Sequence, residues 1–247
     1  MEKVIVTMRS ARADDAWCAR MVQDVSAELL EIGLPGLVLN IRDAPVRDSL
    51  MTLTTLDPPV VALASVWVQR YHGEQLRAAL DLLGAECDSA AAYLVTESEP
   101  LPPPDLRAGL TPGRRTDALA NIALLRRPPD LDAATWLHRW HVDHTPVAIE
   151  TQATFGYVQN TVVRALTADA PAIDGIVEEL FPPQAVADLH AFFGAADDED
   201  LSRRMQAMVA STDAFGASSN IDTVPTSRYV WRSPFSAPAA ASETCSS

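Results

Sequence analysis

The chain has 247 residues, of which 48% are hydrophobic and 21% are charged, which is typical of a globular protein. Its formal net charge of −14 argues against nucleic acid as a partner, because an acidic surface repels phosphate. No run approaches the roughly 18 apolar residues of a membrane helix, so no membrane span is expected.

The length of the chain limits the number of domains, and the cysteines indicate the redox environment. A domain has roughly 100–200 residues, so the chain can form one large domain or two small ones. Cys18, Cys87 and Cys245 are odd in number and widely spaced, with no C-x-x-C pair, so we expect a reduced, cytoplasmic setting. Residues 1–6 have no basic region before a long apolar stretch and predict a strand, not a signal peptide.

Residues 1–100 predict the order β-α-β-β-α-β. In the first helix Met21, Val25 and Leu29 recur at helical spacing, and Gly33 stands where helices commonly end. This order is that of a ferredoxin-like unit, an antiparallel sheet with helices on one face. The predicted elements are strand 3–8, helix 14–31, strands 36–41 and 60–68, helix 74–83 and strand 91–97.

Residues 101–116 predict a Pro-rich linker, because three consecutive prolines, 102–104, neither continue a helix nor occupy a central strand. The order β-α-β-β-α-β then restarts in residues 117–233, with extra helical material before the last strand. Residues 234–247 are rich in Ala, Ser and Pro and predict a disordered tail. The predicted elements are strand 118–125, helix 131–149, strand 153–164, an edge or bulged strand 174–181, helices 184–193 and 198–208, and strand 224–231.

Two ferredoxin-like halves in one chain predict an α+β fold closed into a barrel. Each half has an apolar sheet face that its own helices leave uncovered, and two such sheets pack naturally against each other. The chain would then be an intrachain pseudo-dimer of itself. The sequence leaves open whether two chains associate further as a homodimer.

Three histidines lie in the predicted helix 131–149. At about 100° per residue, His141 and His144 share a face, whereas His138 lies about 120° from His144 and faces solvent. His144 is either a core histidine with a satisfied hydrogen bond or an acid–base group in a pocket, since imidazole titrates near pH 7. Neither Asp143 nor Glu150 shares the face of the histidine pair, so no metal is expected.

Several segments of the second half stand in a recognisable order. Residues 121–129 read as a strand that ends in a basic-proline turn, residues 136–146 as an aromatic-Trp-His-Pro helix, and residues 157–160 as Tyr-Val-Gln-Asn. With residues 174–181 and 226–231, they resemble an EthD domain of the dimeric α+β barrel superfamily over about residues 118–232. The first half keeps an aromatic, Trp17, but has no matching histidine, so we infer that it is degenerate and mainly structural.

The resemblance implies a pocket between helix and sheet with His144 on its wall. Tyr157 and Asn160 are three residues apart on one strand, so their side chains lie on opposite faces and only one can share that pocket. We favour Tyr157, because a phenol can relay a proton; the alternative is a tyrosine that only fills the sheet face. We therefore predict His144 and Tyr157 as catalytic residues. The predicted substrate-binding residues are Trp136, Trp140, His141 and Asn160.

The resemblance also implies an enzyme without a cofactor that acts on an apolar, aromatic or polyketide-like small molecule. The sequence contains no G-x-G-x-x-G, Walker, G-x-S-x-G or H-E-x-x-H motif. The first hypothesis is an acid–base lyase, dehydratase or cyclase with His144 as the base or acid. One alternative is an oxidoreductase, a cofactor-free monooxygenase. Another is a non-catalytic accessory protein that binds a small molecule.

Overall fold

The strands follow the predicted order in both halves. The computed structural model describes residues 1–104 and 109–235; residues 105–108 of the predicted linker and 236–247 of the predicted disordered tail lie outside the described residues. The strands are β1 (Glu2–Arg9), β2 (Gly36–Ile41), β3 (Val60–Val68), β4 (Ser89–Leu101), β5 (Leu119–Leu125), β6 (Gly156–Ala165), β7 (Gly175–Phe181) and β8 (Ile221–Arg232).

The helices lie between these strands, and two of them contain a π-helical segment. Residues 184–193 do not form the single helix that was predicted. A 3₁₀ turn covers Pro183–Val186, and a separate short helix begins at Leu189, where the Asp188 side chain caps it by accepting from the His190 N–H. The helices are α1 (Asp15–Arg20, π-helical Met21–Val25 and Ser26–Glu31), α2 (Glu74–Gly84), α3 (Ala133–His138, π-helical Arg139–His144 and Thr145–Thr151), α4 (Leu189–Phe193) and α5 (Asp198–Asp213).

In the described part of the chain, eight strands form a closed antiparallel barrel in the order β1-β3-β2-β8-β5-β7-β6-β4. Each half contributes its strands in the same spatial order, fourth, first, third, second, which is the ferredoxin-like arrangement. The halves join edge to edge, β2 to β8 and β4 to β6, so neither sheet has a free edge. The predicted α+β barrel built from two ferredoxin-like halves is confirmed.

The prediction that β7 is an edge or bulged strand is wrong. The strand pairs with β5 along its whole length and with β6 over residues 175–180, with no register shift in either pairing. All of its residues are buried. The consecutive residues Glu178 and Glu179 are both buried, and their side chains lie on opposite faces of this central strand.

The apolar residues form layers inside and outside the barrel. Ile5, Tyr93 and Val95 of the first half pack inside it against Ile122 and Ile176 of the second. In the first half, residues of α1 and α2 pack on the outer sheet face as one continuous core. In the second half, α3 packs on the outer face of β5, β6 and β7. Over residues 1–104 and 109–235, the helices are too short or too polar to cross a bilayer.

The π-helical segment of α3 ends just before a proline. Pro146 has no N–H to donate, so the regular hydrogen bonding of the α-helix is interrupted at this point. The Thr145 N–H instead bonds the carbonyl of Trp140, five residues back, and the Thr145 hydroxyl bonds the same oxygen at 2.9 Å. The extra residue changes which side chains face the sheet. Such segments are frequent at functional sites.

Candidate functional site

A cavity of about 280 Å³ lies in the second half, between the outer face of the sheet and helices α3, α4 and α5. Its wall is mostly apolar and contains several aromatic rings. The loop between β2 and β3 of the first half also reaches it, through Met51 and Leu53. The aromatic residues of the wall are Trp140, Tyr157, Phe192, Phe193 and Phe215.

His144 is the last residue of the π-helical segment and lies on the cavity wall. It is 5% exposed, its Nδ1 lies 2.9 Å from the Ser211 hydroxyl of α5, and its ring packs 4.8 Å from the Phe215 ring. Burial lowers the pKa of His144 to about 4, because a charged imidazolium would lose its hydration. At neutral pH the ring is therefore uncharged. In the tautomer that donates from Nδ1 to Ser211, Nε2 is a free base.

Three polar side chains form a row across the sheet beneath this histidine. Tyr157 of β6 and Asn121 of β5 each pair directly with Glu179 of the central strand β7. All three are buried and lie on the cavity wall. The Asn121 Oδ1 has no hydrogen-bond partner among the described residues, and neither has the Oε1 of Gln152, another buried wall residue. These oxygens are groups that a ligand could satisfy.

The titratable groups of the row are held uncharged. Burial raises the pKa of Glu179 to about 8. Burial also raises the pKa of Tyr157. With a neutral His144, the cavity carries no net charge near pH 7. It is therefore suited to an uncharged apolar ligand.

The structure brings His144, Tyr157 and Trp140 together and places the other predicted site residues elsewhere. Trp136 packs behind Trp140, with ring centroids 5.1 Å apart, and is not part of the cavity wall. Trp140 itself lies against Gly175 of β7, where a Cβ would come within 2.6 Å of two of its ring carbons. The indole of Trp140 thus fills space that only a glycine leaves open.

His141 and Asn160 both lie outside the cavity wall. The His141 Nε2 is 3.3 Å from the Thr161 hydroxyl of β6, so the two histidines contact different elements, His144 facing α5. Asn160 donates to the Ile176 carbonyl, and Tyr157 takes the cavity side, as the spacing of three predicts. In residues 1–104 and 109–235 no three His, Cys, Asp or Glu side chains are grouped to hold a metal ion.

Glu179 is the titratable residue of the cavity wall that the sequence did not predict. Its signal was a glutamate pair inside an otherwise apolar strand, Gly-Ile-Val-Glu-Glu-Leu-Phe. Alternation places one glutamate on each face of the strand, and a central strand buries both.

Comparison with known proteins agrees with this fold. The fold defines a dimeric α+β barrel protein whose two halves lie in one chain. Residues 128–210 match the model of the EthD domain, which agrees with the resemblance found in the sequence of the second half. No curated protein sequence is significantly similar to the chain.

Solved structures share the fold at low sequence identity. An anthrone oxidase-like protein is 9% identical, with 96% of each chain covered and a TM-score of 0.55. A proposed monooxygenase from Lactobacillus acidophilus NCFM is 10% identical over 92% of this chain and 93% of its own, with a TM-score of 0.46. A chlorite dismutase variant from Candidatus Nitrospira defluvii is 11% identical over 92% and 90%, with a TM-score of 0.42.

Proposed function

We propose that the protein is an enzyme that moves a proton on an uncharged, apolar, aromatic or polyketide-like small molecule bound in the cavity of the second half. The observation that carries this proposal is a buried, neutral imidazole, His144, on the wall of an apolar cavity. The reaction class is that of a lyase, dehydratase or cyclase that works without a cofactor. Catalysis then depends on the side chains of the cavity alone.

His144 is suited to act as the base. Because its pKa is lowered to about 4, the ring is unprotonated at neutral pH and can accept a proton from a carbon that is made acidic by conjugation with a carbonyl. The hydrogen bond to Ser211 fixes the ring orientation, and the cavity wall around the ring is mostly apolar. Tyr157 keeps its phenolic proton, because burial raises its pKa, so it can donate a hydrogen bond to the oxygen of the same molecule.

Deuterium exchange into anthrone tests the base directly. Anthrone is an uncharged polycyclic ketone with an acidic C–H, and its exchange in D₂O can be followed by NMR. We expect the protein to accelerate this exchange and His144→Ala to slow it by about 100-fold or more, the usual contribution of a positioned base. His138→Ala is the matched control, because His138 lies in the same helix and its side chain is 64% exposed. Equal exchange by both variants would contradict the proposal.

A second candidate function is a cofactor-free oxygenase, and the name of the anthrone oxidase-like neighbour favours it. The carbanion left by proton abstraction could reduce O₂ itself: anthrone and O₂ would give anthraquinone and water, with the substrate supplying the electrons. An oxygen electrode separates the candidates. Oxygen uptake that depends on both substrate and His144 supports the oxygenase, and exchange without uptake supports the lyase class. Stoichiometric anthrone binding without either reaction indicates an accessory binding protein.

A further inference from the structure

We propose that Glu179 is a second catalytic residue, the acid that donates a proton to the ligand oxygen while His144 takes a proton from carbon. The inference rests on the proposed function and extends it to a pair of groups. Glu179 lies on the sheet side of the cavity and His144 on the helix side, so a ligand in the cavity lies between them.

The first half of the chain provides an internal comparison for the polar row. There the equivalent strands place Val4 of β1 and Leu37 of β2 directly opposite Val66 of β3. All three are fully buried in the core beneath α1. The same fold therefore buries an entirely apolar row at this position, and a carboxyl is not needed to form the barrel.

The histidine side of the cavity differs between the halves in the same way. Each π-helical segment is followed by a hydroxyl residue, Ser26 in α1 and Thr145 in α3, whose N–H bonds a carbonyl five residues back. The residue just before it is Val25 in α1 and His144 in α3. In the second half an ionisable side chain thus takes the place of an apolar one twice: Glu179 on the sheet in place of Val66, and His144 on the helix in place of Val25. Since burying polar groups opposes folding, their joint presence indicates a role toward a ligand.

Glu179 also differs from its neighbour Glu178. The Glu178 carboxylate faces the barrel interior, where Asn40 donates to it at 2.9 Å and Arg228 lies 3.0 Å away. Glu179 has no ion-pair partner among the residues that the structure describes. The titratable side chains on its cavity wall are His144 and Tyr157, both uncharged near pH 7. Without a cation, a buried carboxyl keeps its proton, and burial raises the pKa of Glu179 to about 8.

The proton transfers balance in an enolisation of a ketone. The C–H bond breaks and its proton forms an N–H bond at His144 Nε2. In anthrone the acidic C–H lies across the central ring from the carbonyl, so the electron pair enters that ring, which becomes aromatic. The π electrons of the C=O bond pass to oxygen, and this oxygen takes the proton of Glu179. The product is the enol, with an imidazolium and a carboxylate that neutralise each other across the cavity. Return of both protons restores ketone and site, and exchange of the imidazolium proton with solvent introduces deuterium.

The variant Glu179→Gln keeps the size and hydrogen-bonding capacity of the side chain but removes the transferable proton. We expect it to slow anthrone exchange by about 100-fold while the affinity for anthrone changes by less than about twofold. Glu179→Val reproduces the residue of the first half and should lose exchange to the same extent. Glu150→Gln, an exposed site on α3, is the matched control and should leave exchange unchanged.

A measurement without turnover tests the protonation state separately. The infrared spectrum at pH 7 should contain the C=O stretch of a protonated carboxylic acid, and Glu179→Gln should remove it. Full exchange activity in Glu179→Gln, or the absence of this band in the wild type, would overturn the assignment. If His144→Ala slows exchange and Glu179→Gln does not, Glu179 alone loses its role. If neither variant changes the exchange, the proposed function fails with it.

Discussion

At the scale of single residues, the site depends on ionisable groups kept neutral by burial. His144 and Glu179 both lose hydration, and burial moves their pKa values in opposite directions, to about 4 and about 8. Between these values the base is unprotonated and the acid is protonated. The site is therefore prepared for both proton transfers near neutral pH without a charge in the apolar cavity.

The buried carboxyl also predicts a pH-dependent stability. The folded state holds the Glu179 proton up to a pKa of about 8, whereas the unfolded chain releases it near 4.5, so stability falls as pH rises between these values. From pH 5 to pH 8 we expect the unfolding free energy of the wild type to fall relative to Glu179→Gln by about 2–4 kcal/mol, at about 1.4 kcal/mol per pKa unit. Urea unfolding of both proteins at each pH measures this. Parallel curves would mean that the group is already ionised in the folded state.

At the scale of elements, the strands and the main helices could be predicted from periodicity. The strand over Val60–Val68 and the helix that begins at Glu74 lie where hydrophobic spacing predicts them. The π-helical segments could not be predicted from a 3.6-residue period, because their displaced hydrogen bonds depend on packing and, in α3 alone, adjoin Pro146. That is why His141 and His144, expected on one face, contact different elements.

Only the site residues that are close together in the sequence could be predicted. His144 and Tyr157 belong to a local motif, and their helix and strand are adjacent in sequence. Glu179 faces the cavity only because β7 pairs on both sides, and Met51 and Leu53 reach it from the other half of the chain. Such contacts depend on tertiary pairing between distant residues. A single sequence does not display them.

The contact between β7 and α3 yields a prediction for Gly175. In Gly175→Ala the new Cβ would meet the Trp140 ring at 2.6 Å, so the indole must move from its place on the sheet. We expect a loss of about 1–3 kcal/mol in unfolding free energy, as for other overpacked cores, and weaker anthrone binding. Gly84→Ala is the control, since nothing lies within 4 Å of its added Cβ. Guanidinium unfolding and fluorescence titration measure both effects. Wild-type values for Gly175→Ala would show that the ring adapts freely.

At the scale of the whole molecule, the two halves have diverged within one barrel. The first half fills its helix–sheet layer with apolar side chains and has no ionisable row there. It contributes to the site of the second half through the β2–β3 loop, which holds Leu53 in a two-way backbone bridge with Thr223. The Thr55 hydroxyl also bonds Asp222 at 2.8 Å. The structural half thus helps to enclose the cavity of the other half.

From the contacts between β2 of the first half and β8 of the second, we predict that the two halves unfold together. Asp43, just after β2, is buried and its carboxylate accepts from the hydroxyls of Ser227 and Tyr229 on β8, each at 2.7 Å. Asp43→Ala removes both charge-assisted bonds and leaves two buried hydroxyls without their acceptor, so we expect the unfolding free energy to fall by about 2–4 kcal/mol.

Because β2 and β8 close one barrel, this loss should lower the stability of both halves together. Circular dichroism and anthrone binding should then decline at the same denaturant concentration in the wild type and, at a lower concentration, in Asp43→Ala. Asp24→Ala, an exposed site on α1, should leave the midpoint unchanged. If Asp43→Ala instead produced two separate transitions, the halves would be independent folding units, and the closed barrel would not be the source of their cooperativity.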